Sequence, residues 1–255
     1  MTVLDAYSWM LKGDKSLRSV IEKAYHVRPE LGYIGRLIKE DGISSLEKIG
    51  PKVFTPIIMM RAERLSSAKE ILKQIGKCLV EPKFDGFRLQ VHLRSDPLGS
   101  DLIKVKLFSR SLEDVTYMYP DIVEGVKKQV KAKEIIFEGE AIGYNVKTGA
   151  FLPFQETVQR KRKYEIEATA KEIPLRLFSF ELLYLNGKNF INKSFIERRK
   201  ALEDSIKTTK NLSKETVALA DQEKVDRPAR LEDLFDKRVK DGLEGIIAKK
   251  IDGVY

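Results

Sequence analysis

Lys83 stands in the stretch EPKFDGFR, Glu81 to Arg88, with acidic residues on both sides and an arginine at its end. A lysine attacks phosphorus only as the neutral amine, so a site that uses one must disfavour the ammonium by desolvation or by neighbouring cations. The apolar Cys78, Leu79 and Val80 and then Pro82 place Lys83 at the end of an expected strand, pointing into a cleft beside an Asp85-Gly86 turn. The competing expectation is a hairpin with Lys83 on its solvated side, and for a lone lysine the usual exposure favours it. The number of fixed positions shifts the balance: at roughly 5% usage per residue type, K-x-D-G-x-R arises in about one random chain in several hundred of this length. Further along, EGEAIG (Glu138 to Gly143), FSFELLYLNG (Phe178 to Gly187) and LEGIIAKK (Leu243 to Lys250) each put an acid or an aromatic on an expected strand.

Other groups compete for a role. Glu138 and Glu140 lie two apart and so share a strand face; Glu140 is preferred, since one of the two can be a solvated partner of a lysine. Phe180 sits inside the apolar run Leu175 to Leu185, where it can be core or present a ring face. His92 reads as a half-exposed strand residue, because nothing near it completes a triad. The run Arg160, Lys161, Arg162, Lys163 falls on an expected helix, so only part of it can face a phosphate backbone; DNA contact is preferred to plain solvation.

The elements that must position these groups give an α+β chain. Over Phe87 to Leu93 apolar residues alternate with Arg88, Gln90 and His92, the period of a half-buried strand, and IKVKLF from Ile103 repeats it after SDPLGSD, which predicts a hairpin. Strands are expected at Glu134 to Ile142, Leu175 to Tyr184 and Gly245 to Lys249. Helices are expected at Pro120 to Lys131, Phe154 to Lys171, Ile196 to Ser205 and Leu231 to Lys240. Antiparallel hairpins without regular alternation of strand and helix mark the class. Residues 1–48 read as short helices: Leu4, Tyr7, Met10 and Leu11 recur at helical spacing, Ser16 is the expected cap of SLRSVIEKAY, and Pro29 opens PELGYIGRLIKE. Pro51 and Pro56 then interrupt helix and mark a linker.

The 255 residues can bury a sizeable core, and a net charge of +9 favours a polyanionic partner, with a charged surface that merely solvates the chain as the alternative. A single cysteine, Cys78, excludes an internal disulfide and a multi-cysteine zinc site. With no apolar leader and no spanning stretch, a cytoplasmic address is expected, at the nucleoid in a prokaryote, with no membrane partner.

Taken in order, KFDGFR, FSRSLEDVT, EGEA, FSFELLYLNG and EGIIAKK resemble five motif blocks of the covalent nucleotidyltransferases, and among them the ATP-dependent DNA ligases of the archaeal and eukaryotic replicative type. AYHVRPELGYIGRLIKEDG resembles the last helices of the DNA-binding domain that precedes catalysis in that family. The resemblance implies an antiparallel-sheet, ATP-grasp-like adenylation domain over 53–255, preceded by helices and linker of a DNA-binding domain over 1–52. It implies Lys83 as the nucleophile that becomes lysyl-AMP, Glu81 reading the adenine amino group, Phe180 stacking on the base, and Arg88 and Arg110 holding the ribose and the phosphate of the nick. Glu140 and Glu244 match carboxylates near magnesium and sugar, with Lys249 as the lysine of the fourth block. ATP and Mg2+ are the implied cofactors, and nicked duplex DNA, with a sliding clamp beside it, the implied partner, in replication, repair and recombination. Phosphoryl transfer needs mainly positioning and charge neutralisation, which these groups can supply.

Two departures keep charge and change reach: Glu181 follows the aromatic where the family usually has Asp, and EGE replaces Asp-Gly-Glu. The chain ends at Tyr255, so it reads as a fragment without the fifth motif and the OB-fold domain, with impaired adenylation as the expectation. An RNA ligase or capping-type guanylyltransferase shares the lysine motif, and a non-catalytic DNA-binding module is the alternative of another class. ADP, GTP or NAD in place of ATP stays open.

Overall fold

The computed structural model describes residues 2–95, 103–162, 164–209 and 215–255. The chain divides into two compact units, Met1–Met59 and Met60–Tyr255. The division falls later than residue 52 because the proline-containing segment folds back on the helices: Val53 and Ile57 are buried, and the Ile58 N–H donates to the His26 carbonyl at 2.9 Å.

The first unit holds α1 (Thr2–Lys12), α2 (Arg18–Val27) and α3 (Leu31–Asp41), followed by a 3-10 turn, Ile43–Lys48. Leu4, Ile21, Ala24, Ile34, Ile38 and Leu46 form its core. Of the α1 residues at helical spacing, Leu4 is buried and Met10 exposed, so the core-facing stripe is narrower than the sequence suggests. Ser16 does not cap α2. Its N–H bonds to Asp14 Oδ1 at 2.8 Å, and the cap position falls on Leu17.

Among the described residues the second unit contains nine strands in two sheets. β1 (Cys78–Lys83) lies between β8 (Glu223–Val225) and β9 (Gly245–Lys250) in a three-stranded antiparallel sheet. The six-stranded sheet runs β3 (Lys104–Phe108), β2 (Phe87–Arg94), β4 (Glu134–Gly143), β5 (Leu175–Leu185) and β6 (Lys188–Asn189), with β7 (Val217–Leu219) parallel to β5. β2 and β3 pair antiparallel as expected, from Gln90↔Phe108 to Arg94↔Lys104; their connection at 96–102 lies outside the described residues.

No hairpin joins β1 to β2. The chain leaves one sheet at Lys83 and enters the other at Phe87, and Phe84, Asp85 and Gly86 make the crossing. Gly86 is required there because a Cβ would strike the Ala141 carbonyl oxygen on β4. Phe84 is buried in the crossing and stacks on Phe178 of β5 at 4.3 Å between ring centroids. Lys83 is thus placed at the seam between two sheets.

Two helix layers back the sheets. α5 (Pro120–Gln129) and α8 (Phe195–Ser205) cover the large sheet through Ile122, Val126 and Leu202 against Leu89, Val91, Phe137 and Leu177. α4 (Ala68–Ile75) and α9 (Pro228–Lys240) cover the small one through Ile71, Leu72, Leu231 and Leu234 against Cys78 and Val80. α4 is not among the expected helices; Ser67 accepts the Glu70 N–H as its N-cap, and Ile71, Leu72 and Ile75 follow at helical spacing. The expected single helix from Phe154 to Lys171 is broken into α6 (Phe154–Thr157), a 3-10 turn Val158–Arg160 and α7 (Ile166–Glu172), with Glu165 in the left-handed region at φ 54°. Among the described residues no helix is long and apolar enough to cross a membrane.

Candidate active site

A cleft of about 890 Å³ lies within the second unit, and Glu81, Lys83, Arg88, Arg110, Glu140, Phe180, Glu244 and Lys249 all line it. Five segments far apart in sequence, 81–88, 110, 140, 180 and 244–249, converge because the sheet switch brings the end of β1 beside the start of β2 and β9.

Lys83 ends β1 opposite Gly245, its carbonyl accepts the Glu244 N–H at 3.0 Å, and its ammonium is ion-paired with the Glu244 carboxylate. The side chains are 47% and 42% exposed. The desolvation expected of a nucleophilic lysine is therefore not supplied by the chain's own packing, since the end of β1 opens directly onto the cleft.

Deeper in, the groups are buried and heavily bonded. The Glu81 carboxylate accepts from Gln222 Nε2 at 2.6 Å and pairs with Lys249 Nζ at 2.7 Å. Lys249 also donates to the Phe180 carbonyl at 3.1 Å and lies 4.8 Å from the centroid of the Phe180 ring. Phe180 does both things weighed for it: one part packs on the Phe84–Phe178 cluster, and the ring borders the cleft, flanked by the Arg88 guanidinium at 5.4 Å.

The polar face of β2 and β4 is not half-exposed as its alternation suggested. Glu138, Gln90 and His92 are fully buried, so both faces of these strands are covered. Glu138 accepts from Arg88 Nη2 at 2.5 Å, Gln90 Nε2 at 3.0 Å and the Tyr255 hydroxyl at 3.1 Å. His92 is a core residue bonded to Gln90 at 2.9 Å, and burial followed by the Lys106 charge pulls its pKa down to about 3. Arg88 is fixed a second time by the Met60 carbonyl at 2.6 Å, and the Met60 N–H donates to Tyr255. Glu138 is thus a structural anchor, whereas Glu140, one pleat nearer the crossing, faces the cleft. Burial pushes the Glu140 carboxyl up to about 7 against the pull of Arg88, Lys83 and Lys161.

The basic run divides. Arg160 is buried; its two terminal nitrogens bond Asp121 at 3.0 and 2.7 Å, and one also reaches the Ile173 carbonyl at 2.8 Å. It is spent inside the fold and does not present a cation to DNA, and its inward turn accompanies the break in the expected helix. Lys161 lines the cleft 5.2 Å from the Phe87 ring centroid; Arg162 is exposed outside it, and Lys163 lies outside the described residues. Glu138, Arg199, Gln222 and Tyr255 were not foreseen as site residues, and only Glu138 carried a signal, its same-face spacing from Glu140. Among the described residues no group of three or more His, Cys, Asp or Glu is placed to hold a metal ion.

Residues 59–255 match the family model described as ATP dependent DNA ligase domain. The chain belongs to this ligase family. It is 45% identical over 260 residues to a probable DNA ligase of Dictyoglomus turgidum, covering 100% of this chain and 42% of that protein. It is 40% identical over 252 residues to DNA ligase 2 of Thermofilum pendens, covering 98% and 40% respectively. The chain thus spans about two fifths of the length of these ligases. A solved structure titled Pmar-Lig_PreS3 aligns with a TM-score of 0.51 at 19% identity, over 88% of this chain and 48% of that one, a likeness of fold. The mixed helix and sheet architecture, rich in antiparallel pairing, agrees with the expected α+β class.

Proposed function

We propose that this cleft carries out the adenylation chemistry of an ATP-dependent DNA ligase, with Lys83 as nucleophile. Lys83 Nζ attacks the α-phosphorus of ATP, a nitrogen–phosphorus bond forms, the bond to the β-phosphate oxygen breaks, and pyrophosphate leaves. Glu244, in contact with the amine, is the group placed to take its proton. The AMP then passes to the 5′-phosphate of a nick and is displaced by the 3′-hydroxyl, sealing the strand. The observation that carries this reading is the convergence of Lys83, Glu81, Phe180, Glu140 and Lys249 on one cleft.

In the proposed pose the base lies along Phe180 with its amino group toward Glu81, Arg88 meets the ribose and Arg110 the phosphate of the nick. A magnesium ion fits this cleft only with help from its substrate. Glu140 and Glu244 would hold it, and triphosphate oxygens and water would complete its shell, as is usual for this ion. It would neutralise charge on the transferring phosphate. Lys161 and Arg162 would meet duplex DNA, as would the helical unit; a sliding clamp, and work in replication, repair and recombination inside the cytoplasm, complete the proposal.

Incubation with α-labelled ATP and magnesium tests it. Label stable to denaturation, mapped to the peptide containing Lys83 and absent from Lys83→Ala, is the expected result. Label that survives Lys83→Ala, or that GTP or NAD delivers as well as ATP, overturns it.

A further inference from the structure

We infer that Gln222 and Arg199, neither of which lines the cleft, set the nucleobase specificity of the site by fixing the Glu81 carboxylate as an acceptor for an exocyclic amine. The inference rests on the proposed binding of an adenine nucleotide in this cleft.

The placement follows from strand register. β8 pairs with β1 so that Glu223 lies opposite Val80, which brings the preceding Gln222 beside Glu81. Its amide nitrogen donates to Glu81 Oε1 at 2.6 Å, while Lys249 holds Oε2 at 2.7 Å. Arg199 approaches from α8. Its Nη2 donates to the Ala220 carbonyl at 2.8 Å and its Nε to Glu203 at 2.7 Å, which leaves Nη1 buried, without a hydrogen bond, 3.6 Å from Glu81 Oε1. A buried donor left unspent is rare and unfavourable in a folded protein, so its direction toward this one carboxylate is informative.

A carboxylate accepts and does not donate, and its two oxygens offer about four lone-pair positions. Gln222 and Lys249 occupy two of them, Arg199 is directed at the same oxygen as Gln222, and the carboxylate lines the cleft with acceptor capacity left over. Adenine presents an amine donor at its six-position, whereas hypoxanthine and guanine present a carbonyl oxygen. Against a carboxylate ringed by donors, the amine is paired and the carbonyl meets a second acceptor in a buried place. Gln222 and Arg199 act through Glu81, so they are positioning residues.

The test is equilibrium binding of ATP and of inosine triphosphate to the full chain, read as the ratio of the two affinities, because a loosened site weakens both alike. The wild-type chain is expected to prefer ATP. Gln222→Glu sets a second carboxyl at hydrogen-bond distance from the first; the two share a proton, the site gains a donor, and the preference falls by about tenfold or more. Gln222→Leu, a change in a half-buried loop residue, lowers it less, by a few-fold. Glu81→Gln is the control and abolishes the preference. If Glu81→Gln abolishes it while both Gln222 variants keep the wild-type ratio, the inference is wrong and the role of Glu81 stands. If the wild-type chain binds the two nucleotides equally, or neither, the adenine reading beneath it fails.

Discussion

The rim of the cleft and its floor are made of the same kinds of residue and are held in opposite ways. At the rim, Lys83 and Glu244 are paired while nearly half exposed, at strand ends that open onto solvent. On the floor, Glu138 is fully buried and takes bonds from Arg88, Gln90 and Tyr255, and Glu81 is buried under Lys249, Gln222 and Arg199. An exposed pair contributes about 0–1 kcal/mol and parts readily, whereas breaking one partner of a buried pair costs about 3–5 kcal/mol because the other charge is left stranded. Under the proposed reading, the group that must change partners during phosphoryl transfer therefore sits where rearrangement is easy. The groups that must hold still sit where rearrangement is prohibitive.

The largest expected effect breaks the floor. Glu138→Ala removes the buried carboxylate paired with Arg88 and the acceptor of the Gln90 amide and the Tyr255 hydroxyl, and should lower the unfolding free energy in urea by about 3–5 kcal/mol. Glu138→Gln keeps an acceptor and should lose less. A Glu138→Ala variant as stable as wild type would remove the distinction between floor and rim. Next comes Arg160→Ala, which leaves Asp121 without its two-point partner and should cost about 3 kcal/mol, while Lys161→Ala and Arg162→Ala stay within about 0.5 kcal/mol in the same titration.

Those contrasts also mark how far sequence carries. β2, β4, β5 and β9 were legible because period-two apolar patterning survives any tertiary arrangement, and the acids they carry did converge on one cleft. Lys83 at a strand end was legible for the same reason, yet an Asp-Gly pair is the local signal both of a hairpin and of the sheet switch that Gly86 makes here, and only pairing partners distinguish them. Arg160 and Lys161 are neighbours in one basic run; that one is buried on Asp121, thirty-nine residues away, is decided by packing, not by composition. The links from Gln222 to Glu81 and from Tyr255 to Glu138 span 141 and 117 residues, beyond any local pattern. The full burial of Gln90 and His92 was hidden because alternation reports polarity, and a polar face can be covered if its groups bond one another.

Two titrating groups sharpen the comparison within the floor. Glu140, with its carboxyl raised from 4.5 to about 7, favours the folded state most below pH 4.5, and that contribution is lost as pH rises through 7. His92, lowered from 6.5 to about 3, does the reverse: its contribution is complete above pH 6.5 and is lost as pH falls toward 3. Between pH 4.5 and 6.5 the folded chain holds one proton more at Glu140 and one fewer at His92, so the two slopes cancel. Unfolding free energy from these two groups is therefore flat there in the wild-type chain. Glu140→Gln should make stability rise with pH, and His92→Gln should make it fall, each by about 1.4 kcal/mol per pH unit. Urea titrations at pH 4.5, 5.5 and 6.5 decide it, and equal slopes in the two variants would contradict the assignment.

A small expected effect on stability belongs to the residue with the largest expected effect on the proposed chemistry. Lys83→Ala removes an exposed ammonium from an exposed carboxylate, and the loss should be no more than about 1 kcal/mol, within the range of surface ion pairs. Glu244→Ala should match it from the other side. The two substitutions should then be nearly additive with Glu138→Ala in a combined variant, since the rim pair shares no partner with the Glu138 network. Covalent AMP on the chain should vanish with Lys83→Ala all the same. A destabilisation of several kcal/mol would mean that the pair is part of the scaffold after all, and a lysine so committed would not be free to leave Glu244 for phosphorus.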